Sequence, residues 1–150
     1  MENETMSTDT KIQVCPVSIV VDFPGRDRLT ASFENGSWKI TVIGCVELQK
    51  KVKALQIQQT DLTLWKLPTG ASHEDLLLRE LILRAQGQWN YPYEHLEICH
   101  CRSVPTDTVD QAVLAGAHDC KRVSQQTSAS TACGTCRPEV QKIIDYRLGK

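Results

Sequence analysis

The stretch Leu29–Leu55, LTASFENGSWKITVIGCVELQKKVKAL, changes its hydrophobic period part-way along. Leu29, Ala31 and Phe33 alternate with polar residues, and so do Trp38, Ile40 and Val42, which is the period-two pattern of half-buried strands. Between the two runs sits Glu34-Asn35-Gly36-Ser37. Asn-Gly tolerates positive φ at both central positions, so the pair predicts a tight antiparallel hairpin. After Gly44-Cys45, Leu48, Val52 and Leu55 recur at helical spacing, with Lys50, Lys51 and Lys53 between them. Strands that run directly into a helix predict an α+β fold built on a small antiparallel sheet. Upstream, Val17, Ile19 and Val21 alternate ahead of a Pro24-Gly25 turn signal and add a third strand.

Working outward, the next helix is expected from Ser72 to Gln86. Ser72 and Asp75 have the spacing of a capping box, and Gly87 is placed to end the helix. Leu77, Leu78, Leu81, Ile82 and Ala85 form one wide apolar face, while Leu76 and Leu83 fall on the other side. A neighbouring part of the chain covers those two leucines, or they form a homodimer or partner surface. Asn90–His95 (NYPYEH) reads as a linker, and the polar start, residues 1–10, as a frayed tail. The expected division is a tail at 1–10, an α+β domain at 11–90 and a second domain at 95–150.

The second domain holds four cysteines in two pairs, Cys99-His100-Cys101 and Cys133-Gly134-Thr135-Cys136. Such pairs converge as four thiolates, which is the ligand set of a [2Fe–2S] cluster and also of a structural zinc site. C-x-C is less typical of zinc than C-x-x-C. The rest of the domain reads as helical. Thr106 is expected to cap a helix carrying Val109, Ala112 and Val113, which Gly116 ends. Asp119 is expected to cap a second helix with Cys120 and Val123 inward. Pro138 sits in the first turn of a third helix that buries Val140, Ile143 and Ile144.

The pieces CHCRSVPTDTVDQAV, AGAHDCKRVSQQT and TACGTCRPEVQKII, spanning Ile98 to Leu148, resemble the BFD-type (bacterioferritin-associated ferredoxin) [2Fe–2S] domain. The same module is similar to pieces of the scaffold NifU and of assimilatory nitrite reductases. The resemblance implies a small all-α module with Cys99, Cys101, Cys133 and Cys136 as cluster ligands. Arg102, Arg137, Lys121 and Arg122 lie close in sequence and would offset cluster charge. This chain has Ser128-Ala129-Ser130-Thr131-Ala132 where the family commonly has glycines, which bears on the hydrogen bonds that reach the cluster. His100 is expected to be exposed, His118 structural, and Cys120 a buried small hydrophobe.

Gly44-Cys45 opening a helix, followed later by LPTGASHEDLLLREL, is similar in order to the U-type iron–sulfur scaffold domain that begins NifU. Here Glu74 follows His73 where the scaffold has a cysteine, and the loop near Pro24-Gly25-Arg26-Asp27 lacks one. The expected alternative is a small α/β domain with a buried thiol at Cys45. Cys15, ahead of Pro16, reads as core or edge packing.

The formal charge of −1 gives no nucleic-acid or membrane signal, and no apolar run is long enough for a spanning helix. Seven cysteines with no export signal point to the reducing cytoplasm. No acid–base or nucleophile constellation suggests an enzyme. The expectation is one [2Fe–2S] cluster used for electron transfer or for iron–sulfur traffic, with a redox partner or cluster-acceptor protein. The alternatives are an assembly scaffold with a labile cluster and a structural zinc adaptor.

Overall fold

The computed structural model describes residues 17–132 and 134–150. Cys15, Cys133 and the tail at 1–10 therefore lie outside the described residues. Strands β1 (Val17–Phe23), β2 (Asp27–Glu34) and β3 (Ser37–Ile43) form an antiparallel sheet in the order β1-β2-β3. Asn35 and Gly36 take φ of 53° and 80° at the β2–β3 turn, the left-handed conformation that Asn-Gly permits. The resulting register sets Leu29 opposite Val42 and Ala31 opposite Ile40. One sheet face buries Ile19, Val21, Phe23, Leu29 and Ala31, with Trp38, Ile40 and Val42 packed against them.

Helices α1 (Val46–Gln58) and α2 (His73–Ala85) complete this core, joined by a 3-10 turn at Leu62–Leu64. Cys45 caps α1, its Sγ accepting from Leu48 N. Ser72 caps α2 by accepting from Asp75 N. The expected box is only half made, because Asp75 turns its carboxylate to Lys51 Nζ, 2.9 Å away.

Of the two expectations for α2, cover of Leu76 and Leu83 by a neighbouring part of the chain is the one the fold meets. Leu76 and Leu83 are 1% and 7% exposed within a single chain. Helices of the second module pack against α2, which buries seven positions including Leu76, Leu77, Leu78, Leu81, Ile82 and Leu83. Burying each leucine contributes about 1.5–3 kcal/mol.

The second module departs from the all-helical expectation in one respect. Two short strands, β4 (Glu97–Cys99) and β5 (Val104–Pro105), pair antiparallel ahead of α3 (Thr106–Leu114), α4 (Cys120–Thr127) and α5 (Arg137–Leu148). A turn that must hold two cysteines close together is well served by hydrogen-bonding its two arms. Pro105, not Thr106, is the N-cap of α3 and makes no side-chain cap bond. Thr106 Oγ1 instead donates to His95 O and pins the base of the hairpin. Asp119 caps α4 as expected, accepting from Arg122 N. The second core buries Val109, Val113, Val123, Val140, Ile143 and Ile144. Leu114 of α3 reaches into the first core, and Leu148 packs against both.

Residues 90–95 form neither helix nor strand, yet they are tied down: Tyr91 and Tyr93 pack on the second core. Among the described residues no helix is long and apolar enough to cross a membrane.

Candidate metal centre

Cys99 ends β4, Cys101 lies in the following turn, and Cys136 is the N-cap of α5. The β4–β5 pairing and the α5 start bring these three together around one cavity of about 190 Å3, lined also by Ile98, Tyr93 and Thr135. Cys99 and Cys136 are buried, whereas Cys101 is exposed. Cys133, the fourth expected ligand, lies outside the described residues.

The surroundings of Cys99 favour its thiolate. Burial pushes its pKa up, but backbone N–H groups of Ser130, Arg102 and Cys101 and the Cys136 thiol donate to the sulfur, and the balance holds it below the usual thiol value. Ser130 Oγ lies 2.9 Å from Cys136 Sγ. Metal-bound thiolates need this kind of N–H and O–H donation, so the donor set fits an iron–sulfur group.

The glycine-poor segment before the second pair reaches this geometry without glycine. Ser128 and Ser130 take φ of 69° and 65°, conformations that usually fall to glycine. Local hydrogen bonds hold them there. Ser128 O accepts from Thr131 Oγ1 at 2.6 Å, and Ala129 O accepts from Ser124 Oγ at 2.6 Å. Ser130 N–H is thereby aimed at Cys99.

The flanking residues separate by role. His100 is exposed, its Nδ1 2.7 Å from Glu97 Oε1. His118 Nε2 lies 3.1 Å from Val113 O, a structural contact at the end of α3. Cys120 is half-buried rather than fully inward, and burial raises its pKa despite the nearby Arg137. Arg102 Nε donates to Thr131 Oγ1, and Arg137 and Lys121 line a separate cavity of about 480 Å3 beside Cys120.

Residues 97–146 match the family model described as BFD-like [2Fe-2S] binding domain. This segment is a BFD-like [2Fe–2S] binding domain. The family indicates a [2Fe–2S] cluster as its cofactor. The chain is also similar to the nitrite reductase [NAD(P)H] large subunit of Klebsiella oxytoca, at 35% identity over 54 residues. That stretch is 36% of this chain and 6% of the Klebsiella protein, so the similarity is that of one module. No solved structure matches.

The BFD-like domain does not account for Cys45. The fold sets that thiol beside His73, its Sγ 3.5 Å from His73 Nε2, and beside Asp27, whose Oδ1 accepts from Cys45 N at 2.7 Å. Sequence reading singled out Cys45 but missed Asp27 and His73 as its neighbours. The Gly-Cys at a strand-to-helix junction and a His at a helix start were the available signals. Nothing local in the sequence joins them.

Proposed function

We propose that the chain is a one-electron carrier that holds its [2Fe–2S] cluster on Cys99, Cys101, Cys133 and Cys136. The observation that carries this reading is the convergence of Cys99, Cys101 and Cys136 on one cavity with N–H donors aimed at the buried Cys99 sulfur. When bound, the cluster supplies reversible one-electron transfer. The chain's own residues set the conditions for it. The first turn of α5, just past Cys136, presents the positive end of a helix dipole, which favours negative charge on the ligands. Exposed Cys101, His100 and Thr135 keep one side of the centre at the surface, within reach of a docked protein. Electron tunnelling needs that proximity and no substrate pocket, in keeping with a carrier and not an enzyme.

The partner in this reading is a redox protein, and the relative supports it because that protein is a reductase subunit by name. Thiolate ligands also require a reducing compartment, which the cytoplasm supplies. Passing the cluster on to an acceptor is the second reading, supported by the same exposed edge.

Anaerobic purification with iron, sulfide and zinc analysis, a visible spectrum and titration with dithionite tests the proposal. The expected result is about two irons and two sulfides per chain and a spectrum that bleaches and recovers with iron retained. Zinc without iron overturns the carrier reading. Loss of iron to an apo-ferredoxin on each cycle favours transfer instead.

A further inference from the structure

Ser130 touches both halves of the ligand set. Its backbone N–H donates to Cys99, in the first cysteine pair, and its Oγ lies 2.9 Å from Cys136 Sγ, in the second. We propose that the Ser130 hydroxyl is a positioning donor to Cys136 that raises the reduction potential of the iron–sulfur centre, an inference that rests on the carrier reading above.

Ligation fixes the direction of this hydrogen bond. Between a free thiol and a hydroxyl either atom can be the donor. A cysteine that ligates a metal has given up its proton, so its sulfur can only accept. The serine hydroxyl has one proton to give and rotates to suit its acceptor. The bond then runs from Oγ–H to a thiolate, which is the stronger, charge-assisted kind. Ser130 and Cys136 are each 7% exposed, so little water competes and the low local dielectric strengthens the bond.

The backbone holds the hydroxyl in place for this contact. Ser130 takes φ of 65°, a region that residues with a side chain enter at a steric cost. Neighbouring side chains fix the segment there. Ser124 Oγ on α4 donates to Ala129 O at 2.6 Å, and Thr131 Oγ1 donates to Ser128 O at 2.6 Å. Arg102 Nε, just past Cys101, donates to Thr131 Oγ1 at 3.1 Å and ties the segment to the turn that carries the first cysteine pair. A glycine at 130 would adopt the same backbone without strain and keep the N–H to Cys99. What serine adds at this position is the second donor, on the second pair.

A donor at a ligand sulfur favours whichever state carries more negative charge. Reduction moves one electron from the reductant to the centre and adds one negative charge, while the Ser130 proton stays on its oxygen. Hydrogen bonds to the sulfurs are among the factors that set such potentials. The positive end of the Oγ–H dipole faces Cys136, so it stabilises the reduced form more than the oxidised form.

The test is an anaerobic redox titration of the full, cluster-loaded chain with dithionite and mediator dyes, followed by visible absorption. Ser130→Ala and Ser130→Gly both delete the hydroxyl and keep the backbone N–H. Each should make reduction roughly tenfold less favourable, a fall of about 59 mV for one electron, with iron and sulfide content unchanged. Glycine relieves the left-handed strain and alanine does not, so equal shifts trace to the hydroxyl rather than to the backbone. Ser128→Gly relieves the same kind of strain at φ of 69° on an exposed residue and should leave the potential where it is. If Ser130→Ala fails to fold, Ser130→Gly still decides. A reduction equilibrium within about twofold of wild type in the folded Ser130 variants overturns the proposal and leaves the carrier reading standing. A fall in Ser128→Gly as large as in Ser130→Gly assigns the effect to the backbone and also overturns it. A wild-type chain that holds zinc and shows no [2Fe–2S] spectrum overturns the carrier reading, and this inference with it.

Discussion

Arg147 on α5 donates to Glu80 on α2 across 2.6 Å, with both side chains buried. The pair joins the BFD-like domain to the sheet-bearing half of the chain. Arg147 also forks onto both oxygens of Asp110 in α3, and Tyr91 Oη donates to the same carboxylate. Burial would lower the Arg147 pKa, but the bonds to Asp110 and the charges of Asp110 and Glu80 raise it well above its usual value. Trp89 stacks over the guanidinium at 5.1 Å. Arg147→Ala should therefore lower unfolding free energy by about 3–5 kcal/mol, since it removes the cation shared by buried Glu80 and half-buried Asp110. Urea denaturation of the cluster-loaded protein measures this. A loss under 1 kcal/mol would show that the carboxylates find water instead.

The cluster assignment predicts that Cys99→Ser, Cys133→Ser and Cys136→Ser each lose most visible absorption and bound iron. Cys45→Ala should keep both, because Cys45 lies in the other half of the fold, against Asp27 and His73. Iron analysis and absorption spectra of the four variants check this. A normal cluster in both Cys133→Ser and Cys136→Ser would reject the ligand set.

Leu76 is buried within the chain, as cover by a neighbouring segment requires. Leu76→Ala should cost about 2–5 kcal/mol, as core truncations do, with no change in molecular mass by light scattering. A shift in oligomeric state at unchanged stability would restore the interface reading.

Ser128 closes α4 in the left-handed conformation with its side chain exposed. An L-residue there carries about 1–2 kcal/mol of steric cost, partly offset by a less flexible unfolded chain. Ser128→Gly should raise thermal stability by about 0.5–1 kcal/mol and leave the visible spectrum intact. A drop in the melting temperature would point to a contact of the Ser128 hydroxyl worth more than the strain.

Asp61 accepts from the Thr63 hydroxyl at 2.7 Å and from Thr63 N at 3.0 Å, which holds its pKa below the usual carboxylate value. A depressed folded-state pKa gives stability that is fully present above the unfolded value near 4. That contribution is lost as pH falls through the lower folded value. NMR titration should find Asp61 below 3.8, and Asp61→Asn should flatten stability between about pH 4 and pH 2. An Asp61 pKa at or above 3.8 would remove the cap from the account.

What the sequence determined is what neighbours in the chain determine. Asn35-Gly36 sets the hairpin and its register. The change from period two to helical spacing after Gly44-Cys45 sets the strand-to-helix order. Ser72, Asp119 and Pro138 start their helices, and the two cysteine pairs announce the metal. Each signal acts over a few residues through backbone dihedrals or local hydrogen bonds. The tertiary structure decided whatever depends on segments far apart in sequence. It buried Leu76 and Leu83 within the chain, where the sequence showed only two leucines off the main face. It replaced Thr106 as a cap by hydrogen-bonding its hydroxyl to His95, and it paired β4 with β5 around the first cysteines. It also brought Asp27, Cys45 and His73 to one point. Burial and convergence are properties of packed surfaces, and a single helix or strand does not carry the shape of what will cover it.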